Sequence, residues 1–127
     1  MILKGRVIKY GKAEGEALVS EEPIGFLGGV DPDTGLFIEK GHPLEGKNVN
    51  GKVLVFPTGK GSTVGSYTLY RMKKKGVAPL AIINEECEPI VAIGAIISEI
   101  PCVDRIDIRQ IRDGNRLRME GEKITVD

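Results

Sequence analysis

The chain has 127 residues, 41% of them hydrophobic, which is enough for one domain over residues 1–127 with a core that needs no disulfide or metal staple. Eighteen basic and eighteen acidic side chains cancel to zero net charge, so the electrostatic footprint of a nucleic-acid binder is absent. The beginning of the chain lacks the apolar core of a signal peptide, and no apolar run reaches the ~18–20 residues that span a bilayer, so the expectation is a cytoplasmic protein with no membrane partner.

Residues 2–10 and 15–20 carry short apolar stretches around Gly11 and Gly15, and predict two strands joined by a tight connection. The stretch from Gly25 to Gly35 is rich in turn formers. Asp31 before Pro32 reads first as a turn starter and second as a ligand group. Leu36-Phe37-Ile38 predicts a further strand. His42, the only histidine, stands in Gly41-His42-Pro43 with no His or Cys at ligand spacing, and is expected at the surface.

The run Lys52-Val53-Leu54-Val55-Phe56 reads as a buried strand, which Pro57 ends because it cannot donate to a central ladder. A helix is predicted from residue 62 or 66 to residue 75, with Gly76 as its C-terminal cap. Arg71, Lys73, Lys74 and Lys75 at its end complement the helix dipole, so this cluster reads as a solvated face rather than a site. Pro79-Leu80-Ala81-Ile82-Ile83 predicts a buried strand and completes a βαβ unit. Residues 89–98 are apolar nearly all round, with Pro89 suited to a first helical turn, and predict a buried helix. Pro101-Cys102-Val103 predicts a third strand of the same layer, and turns at residues 113–115 and 120–122 predict C-terminal hairpin strands. The expected fold class is therefore α/β, with strands and hairpins flanking a central βαβ unit. Cys87 and Cys102 are not a CxxC pair and cannot supply a four-ligand metal set, so both are read as reduced thiols in or near the core.

Chemistry concentrates in Phe56-Pro57-Thr58-Gly59-Lys60-Gly61-Ser62-Thr63-Val64-Gly65-Ser66-Tyr67, at the carboxyl end of the first strand of the βαβ unit, the edge where open parallel sheets bind ligands. The run fails the Walker A template, since Gly61 separates Lys60 from Ser62, and it fails G-x-G-x-x-G by one residue. Neither Ser62 nor Ser66 has the flanking glycines of a nucleophile elbow, and a Ser-His-Asp triad would depend wholly on His42. Two readings of the residues remain. Ser62, Thr63 and Ser66 cap a helix, or they hold an anion beside unpaired N–H groups with Lys60 adding positive charge.

Four segments carry a resemblance: Gly28-Gly29-Val30-Asp31-Pro32, Gly41-His42-Pro43-Leu44, the run from Gly51 to Tyr67, and Ile100-Pro101-Cys102-Val103-Asp104. Together they resemble the small subunit of the aconitase-X family. The resemblance implies a swivelling β/β/α domain and a hydro-lyase that removes water from (R)-5-phosphomevalonate to give trans-anhydromevalonate 5-phosphate, in an archaeal mevalonate pathway leading to isoprenoids. It implies that Ser62 takes the proton α to the substrate carboxylate. Lys60, Gly61, Thr63 and Asp31 are the residues expected to help bind the small anionic substrate. It further implies a 4Fe–4S cluster held by a separate large subunit, with no metal bound by this chain. Two alternatives stay open: another dehydratase of the family, such as one acting on a hydroxyproline, and a non-catalytic anion-binding or regulatory module of the same fold.

Overall fold

Val53–Phe56 (β4) and Ala81–Asn84 (β5) are buried along their whole length, and that burial on both faces marks a parallel-sheet centre. They pair in parallel, Val53 opposite Ala81 through Phe56 opposite Asn84. Val53, Val55, Ala81 and Ile83 face one hydrophobic cluster with Leu117, Met119 and Ile124. Leu54, Phe56 and Ile82 face the other, with Leu69, Met72, Val91 and Ala95 from the helices. The computed structural model describes residues 1–127, and in it eight strands form one sheet in the order β1-β8-β7-β3-β4-β5-β6-β2.

The order follows from two strands that each do double service. Lys12–Val19 (β3) pairs antiparallel with Arg116–Glu120 (β7) over residues 12–16, then parallel with β4 over residues 17–19. The N-terminal run divides at Gly5: Ile2–Lys4 (β1) pairs with Lys123–Val126 (β8), and Arg6–Lys9 (β2) pairs with Cys102–Asp104 (β6) at the opposite edge. One short segment thus supplies both edge strands and leaves a nearly closed sheet, whose remaining exposed ladders are only three and four residues long. The tight connection at Tyr10 and Gly11 is present, but the strands on either side of it do not pair with each other.

Gly5 is the hinge of this closure. Its N–H donates to Glu122 O at 3.0 Å, and a Cβ there would overlap Asp104 O and come within 2.6 Å of Val103 Cγ1. Gly5→Ala is expected to cost about 1–3 kcal/mol as overpacking at a position with no room to relax. Chemical denaturation checks it as a lower midpoint at unchanged slope.

Gly65–Lys75 (α2) and Pro89–Ser98 (α3) cover one face of the sheet. Helix α2 buries Ser66, Thr68, Leu69 and Met72, and ends where Gly76 turns left-handed (φ 76°) with its N–H on Lys73 O and Met72 O. Helix α3 crosses close to it at Gly94, where a Cβ would lie 2.7 Å from Leu69 Cδ1. The expectation of a fully buried α3 is corrected: Ile93, Ile96 and Ile97 are 53%, 49% and 40% exposed, so its outer face is an uncovered apolar stripe. The Leu36-Phe37-Ile38 strand is also corrected. Residues 30–50 form a glycine-punctuated excursion in which Val30–Phe37 and Leu36–Asn48 make isolated bridges only, because no partner segment runs alongside for longer. The short turn Phe26–Gly29 (α1) precedes this excursion. His42 is buried rather than at the surface. Its Nε2 lies 3.0 Å from Pro23 O, its Nδ1 accepts from Leu44 N–H, and its ring stacks on Phe37. No helix is long and apolar enough to cross a membrane.

Candidate active site

The chain leaves β4 at Phe56 and reaches α2 through residues 57–64, which the surrounding backbone grips on both sides. Ile24 N–H donates to Thr58 O and Lys60 N–H to Ile24 O, at 3.1 and 3.0 Å. From the β5–α3 loop, Glu85 and Glu86 N–H both donate to Pro57 O, at 3.0 and 3.1 Å. Beyond Lys60 the chain is free of such ties. Gly61 adopts φ 90°, a conformation that favours glycine, and Ser62 and Thr63 stand exposed at the tip.

The hydroxyls separate into different roles. Ser62 Oγ accepts the Val64 N–H at 3.1 Å, a side-chain turn placed before the helix. Ser66 is buried and its Oγ donates to Ile90 O at 2.6 Å, tying α2 to α3. The N-cap residue of α2 is Val64, with no side-chain cap, so none of the hydroxyls is an ordinary cap. The helix accordingly begins at Gly65, between the two predicted starts.

The free donors also differ from expectation. Gly65 N–H bonds Ser62 O at 2.9 Å, and Ser66 N–H bonds Thr63 O at 3.3 Å. Val64 N–H is engaged by Ser62 Oγ, which leaves the N–H groups of Gly61, Ser62 and Thr63 without an acceptor in the chain. Free amides beside a helix entrance are donors available to an anion. Lys60 is near, but its Nζ is held by Glu39 Oε2 at 3.1 Å, so its charge is shared before any ligand arrives.

Lys60, Gly61, Ser62 and Thr63 thus lie together on one exposed turn, and Asp31 makes its hydrogen bonds within a turn of its own. Its Oδ1 accepts from Asp33 N–H at 2.9 Å and its carbonyl from Gly35 N–H at 2.8 Å, the turn-starting role. Its neighbours Val30 and Pro32 do face Val64 and Tyr67 across a shallow cleft of about 230 Å³ beside the turn. A larger cleft of about 770 Å³ opens on the other side of the same strand ends, lined by Val19, Pro57, Glu85, Arg109, Arg112 and Asp113. It excludes Ser62, and the chemistry-bearing turn is therefore an open surface rather than an enclosed pocket.

Cys87 and Cys102 are both free and buried, with Sγ atoms 3.9 Å apart. Hydrogen bonding to Cys87, then burial, raises the Cys102 pKa and holds that thiol protonated. Two buried thiols, one kept neutral, do not fit the ligand set of an iron–sulfur cluster, and no group of three or more His, Cys, Asp or Glu side chains converges to hold a metal ion. Glu88 and Gly25 border the root of the turn, which the sequence alone does not show: a Cβ on Gly59 would overlap Glu88 Oε1, and one on Gly25 would lie 2.9 Å from Lys60 O. The Glu88-Pro89 pair was a readable helix start, but its contact with Gly59 was not.

The fold agrees with known proteins. A family model described as the aconitase X swivel domain matches residues 2–127. The phosphomevalonate dehydratase small subunit of Methanosarcina acetivorans is 58% identical over 95% of this chain and 86% of its own length. That of Methanocella arvoryzae is 59% identical over 95% and 94%. A crystal structure of Thermococcus kodakaraensis aconitase X in its holo-form superimposes with a TM-score of 0.98 at 50% identity, covering 100% of this chain and 98% of that one. The overlap takes in the whole β/β/α arrangement of sheet and helices. The chain belongs to the aconitase X swivel domain family.

Proposed function

We propose that this chain is the small subunit of a hydro-lyase that converts (R)-5-phosphomevalonate to trans-anhydromevalonate 5-phosphate, with Ser62 accepting the proton lost from the carbon α to the carboxylate. The carrying observation is the turn itself: a serine whose Oγ already accepts one N–H, raised on a tip with three further free amides. Relatives that bear the phosphomevalonate dehydratase name match nearly the full chain, which supports the substrate assignment.

The chemical demand is steep, because a hydroxyl is a very weak acid. The Val64 N–H stabilises the Ser62 alkoxide directly, and the helix entrance adds its positive end. The free amides of residues 61–63 suit the substrate's phosphate or carboxylate. These dipoles are weak against bulk water and strong once water is removed. An exposed Ser62 therefore requires a covering surface, and the term small subunit in the relatives' names implies a larger chain to supply it. The apolar outer face of α3 supports membership of such an assembly. On this reading the iron–sulfur cluster, and the Lewis acidity that takes the leaving hydroxyl, belong to that larger chain.

The isolated chain is expected to show no dehydratase turnover, and anaerobic co-expression with the large subunit to restore it on phosphomevalonate. A complex that acts only on another hydroxy acid, such as a hydroxyproline, or no complex at all, would overturn the assignment.

A further inference from the structure

Beneath the Ser62 turn lies a carboxylate that the proposed chemistry leaves unused. Glu88 is the N-cap of α3, with Oε1 accepting Val91 N–H at 2.7 Å and Oε2 accepting Ile90 N–H at 3.0 Å. Both oxygens are therefore fixed. Capping alone does not ask for glutamate, since Ser, Thr, Asp and Asn do it with a shorter reach. The extra methylene brings the carboxylate against Gly59. A Cβ on Gly59 would overlap Glu88 Oε1 and lie 2.6 Å from Val91 Cγ2. Gly59 is not among the positive-φ glycines, so space rather than backbone conformation excludes a side chain there. On the opposite side a Cβ on Gly25 would come 2.9 Å from Lys60 O. The root of the turn is clamped between Gly25 and Glu88, and the tip carrying Ser62 projects from that clamp.

We propose that Glu88 is a positioning residue: its carboxylate, immobilised by the α3 N-terminus, is the seat on which the Gly59 backbone rests, and it fixes where Ser62 stands. The inference rests on the reading of Ser62 as proton acceptor. The charge of Glu88 is taken up by two helix N–H groups, so it sets the turn without repelling an anionic substrate.

Glu88→Asp separates capping from seating, because aspartate is a strong cap that no longer reaches Gly59. In the reconstituted two-subunit enzyme, kcat on phosphomevalonate is expected to fall about 10–100-fold, as for a displacement near 1 Å, with KM within about twofold. Hydrogen exchange in the same complex should quicken at Ile24 and Lys60, whose N–H groups hold the root of the turn, while α3 stays protected. Gly59→Ala should be harmful alone and less so, though not harmless, in the Glu88→Asp background, where the overlap with the Glu88 carboxylate is relieved and only the Val91 contact remains. Wild-type kcat and wild-type exchange in Glu88→Asp, loss of α3 protection, or strictly additive effects of the two substitutions would each overturn the proposal. If the wild-type complex does not dehydrate phosphomevalonate, the functional reading fails by itself. The exchange pattern and the suppression of Gly59→Ala, read by exchange, still decide the seating role.

Discussion

Ser62→Ala in the reconstituted two-subunit enzyme is expected to lower kcat on phosphomevalonate by about 10²–10⁴-fold, the range general-base catalysis supplies. KM should change little, since the N–H groups of residues 61–63 belong to the backbone and survive the substitution. Stability should change little too. Ser62 is exposed, and its side chain's only internal bond is with the Val64 N–H, which water can satisfy at the surface. Single-turnover kinetics with substrate deuterated at the α-carbon would isolate the proton-transfer step. A variant that retains near-normal turnover removes Ser62 from the chemistry and leaves the turn as an anion grip, the non-catalytic alternative.

The elements legible in the sequence were those fixed by local rules. Pro89 at a first turn and a ten-residue apolar run placed α3 over Pro89–Ser98, and Gly76 marked the end of α2. Unbroken apolar runs placed β4 and β5, and glycine turns placed the β7–β8 hairpin. What escaped depends on partners far along the chain. Nothing in residues 2–10 says that they divide at Gly5 between β8 and β6, because each pairing is more than ninety residues away. His42 looked like a surface turn residue because the atoms that bury and bond it, Pro23 O and the Phe37 ring, come from other loops. The all-round apolar α3 reads as buried by a rule that counts every chain in the assembly, and on the proposed function its outer stripe meets a second chain. At the site the same division holds. The strand, Pro57 and the glycines located the turn, whereas the pairing of Lys60 with Glu39 and the seat at Glu88 arise from folding.

Asp104→Ala is the substitution expected to cost most stability, about 2–3 kcal/mol by chemical denaturation at neutral pH, because it leaves the buried Cys87 N–H without an acceptor while Arg6, 42% exposed, regains water. The Asp104 side chain is fully buried at the end of β6, where Arg6 Nε and an Nη atom donate to it at 3.0 and 2.7 Å and Cys87 N–H at 2.9 Å. It therefore joins three segments: β2, β6 and the loop entering α3. Desolvation pushes its pKa up, but the Arg6 hydrogen bonds, the Cys87 N–H and the charges of Arg6 and Arg105 together outweigh that and hold it below the ordinary carboxylate value. Between the folded and unfolded pKa values the unfolded chain binds the extra proton, so stability rises with pH there. The contribution is complete above the unfolded value of about 4 and is lost as pH falls through the lower, folded one. Asp104→Asn should therefore differ most from wild type at neutral pH, and the gap should close only below about pH 4. A gap constant from pH 7 to pH 2 would refute the linkage. Asp107, likewise lowered by Arg109, is half-buried beside an exposed partner, and its pair adds little to this acid limb. Because Cys87 immediately precedes Glu88, releasing Asp104 also loosens the loop that seats Gly59. Activity in Asp104 variants should consequently fall under conditions where most molecules are still folded, since the clamp on the Ser62 turn is anchored through this pair.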